Sequence, residues 1–206
     1  MNIYDISMTV QEEMMVYKNK EEKKPKFINR ANHDNGKHYE STIQVDLHTG
    51  THMDAPLHML KDGATIDETT LEKCMGPCKV LDLTQIEDHI SKEDLINKDI
   101  VAGDRILLKT KNSNDDTFNM DFIYVDHTAA NYLVEKQIML VGIDSLGIER
   151  SQSDYATHRQ ILGAGIPIVE GLRLKNIREG IYEFIGLPLK LKGLEGSPIR
   201  AILKEL

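Results

Sequence analysis

Apolar residues along this chain come in short runs rather than long helical stripes. Arg105 to Thr110 and Ile138 to Ile143 are compact apolar runs of the kind that form buried strands. Lys79-Val80-Leu81-Asp82-Leu83 alternates, as a half-buried strand does. Tyr182 to Leu187 and Ile199 to Leu203 predict further strands. Pro167-Ile168-Val169 predicts a short buried one that ends at Glu170. Helical signals are fewer. Ser91-Lys92-Glu93-Asp94 reads as a capping box opening a short helix to Lys98. Thr128 to Gln137 predicts a second helix with Thr128 as its cap. His158 precedes a third, short apolar stretch of helical character. Strands in the majority, with helices between them, predict an α/β fold. The length of 206 residues suits one domain over 1–206. There is no internal repeat and no low-complexity linker.

The segment that departs most from this pattern is His48-Thr49-Gly50-Thr51-His52-Met53-Asp54-Ala55-Pro56-Leu57-His58, which holds three of the eight histidines. Thr49, Gly50 and Thr51 disfavour a helix here, and Pro56 disfavours helix at Ala55. A flat strand would place His48 and His52 on one face but, at about 3.3 Å per residue, about 13 Å apart. Ligands of one ion lie about 2.0–2.2 Å from it, so the chain must curl, and Gly50 permits the curl. The expectation is a strand from Ile43 to Leu47 that breaks into a loop bearing ligands, with His58 nearby beyond Pro56. An ordinary hydrogen-bonded loop explains one histidine; the H-x3-H-x-D-x3-H spacing points to a metal-centred hydrolase. A carboxylate at the end of an apolar strand is costly unless paired or metal-bound, which makes Glu170 a candidate ligand. His158 is a weaker candidate when taken by itself.

Composition narrows the class. A hydrophobic fraction of 40% with 28% charged residues is that of a water-soluble globular protein. A net charge of −8 argues against nucleic-acid binding. No run of about 18 apolar residues predicts a membrane span, and the first residues lack a signal-peptide pattern. These features predict a cytoplasmic protein. Two cysteines make no disulfide framework, and the C-x3-C spacing of Cys74 and Cys78 is not that of a zinc or redox pair. They are expected to be packed thiols. The charge run Lys18 to Lys26 reads as a solvated loop, and its place directly after Tyr17 also allows a mobile flap over the site. His33, His38, His89 and His127 have no chemical neighbours in the sequence.

The His48 to His58 motif resembles the signature of the cyclase-like metal-dependent hydrolases, the family of the bacterial kynurenine formamidases. The resemblance runs along nearly the whole chain, through Tyr4-Asp5-Ile6-Ser7, Gly103-Asp104-Arg105, Val141-Gly142-Ile143-Asp144-Ser145, the His158 to Glu170 segment and Gly196-Ser197-Pro198-Ile199-Arg200-Ala201. It implies a swivelling β/β/α fold around a mixed sheet. It further implies two metal ions per subunit, usually Zn2+ with Mn2+ or another divalent ion as the alternative. His48, His52 and Asp54 would hold one ion. Asp54 would bridge to a second that His158 also binds, and Glu170 would complete the pair. His58 matches the family's catalytic acid/base. Tyr17 takes the place of a tryptophan that, in the formamidases, precedes Pro-Gly-Asp and packs against the substrate. Here Lys18-Asn19-Lys20 follows it. The implied reaction is arylformamidase-like, N-formylkynurenine to kynurenine and formate in tryptophan catabolism, by metal-activated water. The alternatives are an isatin-hydrolase-like enzyme cleaving another cyclic amide, imide or ester, and a non-catalytic metal-binding protein. A homodimer or higher homo-oligomer is implied, with a small aromatic amide as partner and neither nucleic acid nor membrane.

Overall fold

The computed structural model describes residues 2–206. Thirteen strands are present: β1 (Ile3–Asp5), β2 (Lys26–Ala31), β3 (Glu40–Gln44), β4 (His52–Asp54), β5 (Met75–Asp82), β6 (His89–Ile90), β7 (Arg105–Lys109), β8 (Tyr124–Val125), β9 (Leu140–Ile143), β10 (Ile168–Glu170), β11 (Gly180–Ile185), β12 (Gly196–Pro198) and β13 (Ile202–Glu205). The helices are α1 (Leu71–Cys74), α2 (Lys92–Leu95), α3 (His127–Glu135) and α4 (Ala156–Gly163). Nine strands form one mixed sheet in the order β1-β13-β11-β5-β7-β9-β10-β4-β12. Its middle, β5-β7-β9-β10, is parallel; both flanks are antiparallel. This is the mixed α/β arrangement expected.

The central strands are apolar on both sides because both faces are covered. Ile106, Leu108, Val141, Ile143 and Ile168 face a core completed by Leu95, Ala129, Leu133, Ile161 and Leu162 of α2, α3 and α4. Their alternates Leu107, Leu140 and Val169 face a second core with Met53, Leu172, Leu174 and Phe184. Each fully buried aliphatic or aromatic side chain contributes about 1.5–3 kcal/mol by leaving water. These two cores fix the sheet, and the sheet fixes β10 and β4, the two strands that carry the site.

Five sequence expectations are corrected. The strand expected over Ile43–Leu47 stops at Gln44 and pairs only with β2, in a hairpin outside the main sheet. It stops because Asp46 turns the chain, its carboxylate accepting from the His48 N–H at 2.9 Å and its carbonyl from Thr49 at 3.0 Å. The ligand-bearing segment is itself partly strand, β4, rather than all loop. The α3 cap is Asp126, not Thr128: its carboxylate accepts from the Thr128 and Ala129 N–H groups at 2.9 and 2.8 Å. The strand expected over Ile199–Leu203 begins at Ile202, because Ile199 N–H donates to Thr51 O and Ala201 N–H to Ser7 Oγ. The capping box at Ser91 is present, but α2 ends at Leu95 and the chain turns through Asp99 at φ 48°. Cys74 and Cys78 are buried free thiols, as expected. Among the described residues no helix is long and apolar enough to cross a membrane.

Candidate metal centre

Register brings the two ligand segments together. In the β10–β4 pair Glu170 lies directly opposite His52, and β12 holds the other edge of β4 with Gly196 opposite Asp54. Directly opposed residues of an antiparallel pair have Cβ atoms about 4.5–5.5 Å apart, so His52 and Glu170 meet as a consequence of pairing. The turn before β4 then brings in His48. It passes through Gly50 at φ +67° and is tied down by Thr51, whose hydroxyl donates to Gly171 O at 2.6 Å. Gly171 sits at φ +69°, with Gly50 O against the position a Cβ would take. Two glycines therefore let two backbone segments touch where the imidazoles and carboxylates must converge.

The convergence is close. His48 Nδ1 is 2.8 Å from Asp54 Oδ1. His52 Nε2 is 3.4 Å from both Asp54 Oδ1 and Glu170 Oε2, and His158 Nε2 is 3.4 Å from Glu170 Oε1. His48, Asp54 and His58 form one tight group and His52, Asp54 and Glu170 another, with Asp54 common to both. His58, on the short turn Pro56–His58, stacks on His48 with ring centroids 4.1 Å apart and lies 5.8 Å from His158. Every residue predicted for the site is thus in one place, and Tyr17 lines the same cavity of about 390 Å³. None of His33, His38, His89 or His127 joins it. Ser197 Oγ accepts from Leu189 N–H, and Arg200 pairs with Asp5 at the surface, so neither acts at the site.

The donor atoms are arranged as for a cation. His52 Nδ1 donates to Gly50 O at 2.9 Å, and His158 Nδ1 donates to Glu149 Oε2 at 2.7 Å. Both partners can only accept, so in the neutral rings each Nε2 keeps a free lone pair pointing inward. His52 Nε2 and both Asp54 carboxylate oxygens are buried without a hydrogen-bond partner. Buried polar atoms are rarely left so. Two ligands about 2.1 Å from one tetrahedral ion lie about 3.4 Å apart, the separation repeated here. The residues therefore fit a divalent metal. The charged groups also act on one another. Burial opposes charging His52 and His158, yet Glu170 and Asp54 carry His52 up to about 9, and Glu149 and Glu170 carry His158 up to about 10. Burial likewise opposes ionising Glu170, but His158 and His52 hold it well below the carboxylate range. Burial pushes His58 below its ordinary value.

Glu149 was not singled out from the sequence. It follows an ordinary apolar residue in Gly147-Ile148-Glu149-Arg150, and only the fold reveals that it orients His158. Gly171 carried a faint signal, a glycine directly after the candidate ligand Glu170.

Comparison with known proteins agrees with this geometry. Residues 4–150 match the family model described as "Putative cyclase". The chain is 31% identical over 208 residues to a kynurenine formamidase of Salinibacter ruber, covering all of this chain and 98% of that protein. It superposes with TM-score 0.90 and 49% identity on a structure described as a "predicted metal-dependent hydrolase from Bacillus stearothermophilus", covering 98% and 97% of the two chains. Isatin hydrolase A of Labrenzia aggregata gives TM-score 0.86 at 25% identity, covering 98% and 93%.

Proposed function

The chain belongs to the cyclase family of metal-dependent hydrolases and cleaves amide bonds, and from that premise we propose that it is an arylformamidase with two zinc ions at the site described. His48, His52, Asp54, His158 and Glu170 would supply the ligands. Imidazole and carboxylate suit zinc, and the same set accepts manganese. The single observation that carries this reading is that His52 Nε2 and both Asp54 oxygens are buried without a hydrogen-bond partner, with His52 Nε2 3.4 Å from Asp54 Oδ1 and from Glu170 Oε2.

A bound divalent ion supplies a water pKa lowered towards about 7 and polarisation of the amide carbonyl. The chain's own residues do the rest. Tyr17, held edge-on by Phe118 and Phe122 with ring centroids 5.1 and 6.4 Å away, offers its ring to an aromatic substrate. Glu149 keeps His158 in the tautomer that points Nε2 inward. His58 accepts the proton of the attacking water as the C–O bond forms. It returns that proton to the leaving nitrogen as the C–N bond breaks, so that formate and an arylamine depart. Burial favours the neutral imidazole needed for the first step.

The exposed hairpin β2–β3 suggests the quaternary state. An isolated two-stranded hairpin is marginal in water, and Phe27, Ile28, Tyr39 and Ile43 on this one are all exposed. A second copy covering them gives a homodimer, to be read by light scattering; a monomer at working concentration contradicts it. Residues 1–206 act as one hydrolase domain, cytoplasmic in location. The function is tested with N-formylkynurenine, formanilide and isatin on the zinc-loaded enzyme. Turnover of the formamides, abolished by a chelator and restored by zinc, is expected. Turnover of isatin alone moves the assignment to an isatin hydrolase, the activity named for the Labrenzia neighbour. No turnover of any of the three refutes the hydrolase reading.

A further inference from the structure

The cavity is lined by the imidazoles of His48, His58 and His158, by Glu170, by Tyr17 and by two lysines, Lys18 and Lys23. Of the other lysines in the charge run, Lys24 pairs with Glu21 at 2.6 Å, Lys20 stands 3.9 Å from Glu22, and Lys26 begins β2; none of the three lines the cavity. Lys18 has no carboxylate within ion-pair distance among the described residues. Its Nζ stands 5.3 Å over the Tyr17 ring. Lys23 has only Asp46 at 3.9 Å, the outer limit of an ion pair, and its side chain is 28% exposed.

Both positions are built into the site. Thr49, between His48 and Gly50, donates its hydroxyl to Lys23 O at 3.0 Å and so ties Lys23 to the ligand turn. The turn carrying Lys18 is closed by Asn19 N–H donating to Val16 O at 2.9 Å, with Lys18 and Asn19 both left-handed at φ 58° and 50°. A solvated loop has no need of two such residues. Here the turn sets the Lys18 ammonium over the aromatic wall. Of the carboxylates around the cavity, Glu149 is bonded to His158, Asp54 and Glu170 belong to the ligand cluster, and Glu195 lies 3.5 Å from His48 Nε2. The chain carries a net charge of −8, so two lysines lining the cavity run against the protein's overall sign. Such lysines attract and select anions.

We propose that the substrate carries an anionic group, a carboxylate, at the end remote from the scissile amide, and that Lys18 and Lys23 receive it while Tyr17 takes the ring between. The proposal rests on the amide-hydrolase reading for where the scissile bond lies. Lys18 and Lys23 are specificity-determining residues in it and take no part in bond breaking.

Three substrates share the ring and the formamide and differ in charge at the far end: 4-formamidobenzoate, formanilide and 4-formamidobenzylamine. On the zinc-loaded enzyme kcat/KM is expected to fall in that order, and the preference to shrink as salt is raised. Lys18→Gln is expected to lower the ratio of kcat/KM for 4-formamidobenzoate to that for formanilide about tenfold, the size of one charge-assisted contact. The loss is expected in KM. Lys18→Glu inverts the order of acid and amine, and Lys23→Gln acts in the direction of Lys18→Gln. Equal kcat/KM for the acid and the neutral formamide, or lysine variants that slow all three substrates alike, overturn the proposal and leave the hydrolase reading standing. If no formamide is turned over, the arylformamidase reading has failed instead, and the lysines are read by calorimetric titration of 4-aminobenzoate and aniline. Binding of the acid that is lost in Lys18→Gln then supports the anion site, and binding that survives in Lys18→Gln overturns it.

Discussion

Replacing Gly171 by alanine adds one methyl group at the contact that draws the two ligand segments together. Gly171 has φ +69°, where an L-residue costs about 1–2 kcal/mol. The new Cβ would stand 2.4 Å from Gly50 O and 2.8 Å from Gly50 C, whereas real Cβ atoms essentially never come within 3.0 Å of such atoms. The Gly50 backbone must therefore retreat by at least 3.0 − 2.4 = 0.6 Å. That movement strains the Thr51 hydroxyl bond to Gly171 O, worth about 0.5–1.5 kcal/mol. The sum is about 1.5–3.5 kcal/mol, or about 3–14 °C in Tm for a chain of this length. Gly50 lies between His48 and His52, so metal binding suffers as well as stability. The assay pairs thermal unfolding of the metal-free chain with a zinc titration against a chromophoric chelator. Gly193→Ala is the control: it has φ +79° but nothing within 4 Å of its Cβ, and isolates the backbone cost. The expected result is a larger Tm loss for Gly171→Ala than for Gly193→Ala, with weakened zinc binding in Gly171→Ala alone. Equal Tm losses with zinc affinity intact in both variants refute the reasoning.

Glu149→Gln keeps the shape beside His158 but removes the carboxylate that fixes its tautomer; zinc affinity is expected to fall about 10–100-fold, and an unchanged affinity contradicts that role. In its neutral form His58 acts as base, and burial pushes its pKa down, so kcat/KM is expected to rise with pH through a limb centred below the ordinary histidine value of about 6.5. His58→Asn should lose that limb together with about 10²–10⁴ in rate; a limb that persists in the variant removes His58 from proton transfer. Burial pushes the Cys74 thiol up to about 11 and the Cys78 thiol up to about 12, so iodoacetamide at pH 8 should label neither in the folded chain and both in denaturant. Labelling of either in the folded chain shows it is more accessible than its packing implies.

The site was more legible in the sequence than its surroundings. His48, His52, Asp54 and His58 are local, and their spacing alone demanded a curled backbone at Gly50, which is found at φ +67°. Glu170 was visible as an acid ending an apolar strand, because a buried carboxylate without a partner is unfavourable. The partner across the strand pair was not visible: that Glu170 faces His52 is a matter of register between segments more than a hundred residues apart. The same blindness hid Glu149, whose meaning is entirely tertiary. Periodicity found β7 and β9 because both of their faces are buried, and β5 because its apolar and polar positions alternate. It failed at Ile43–Leu47, where apolar residues belong to an exposed hairpin and a local Asp46 turn overrides the pattern. At α3 Asp126, two residues before the expected cap Thr128, caps the helix by accepting two backbone N–H groups.

Anomalous diffraction at the zinc edge on crystals of the zinc-loaded protein tests the central claim most directly. Two peaks are expected, flanking Asp54, with the donor atoms of His48, His52, Asp54, His158 and Glu170 among the ligands at about 2.0–2.2 Å. Density without an anomalous peak there, or zinc bound elsewhere while His52 Nε2 and the Asp54 oxygens turn to water, would contradict the account.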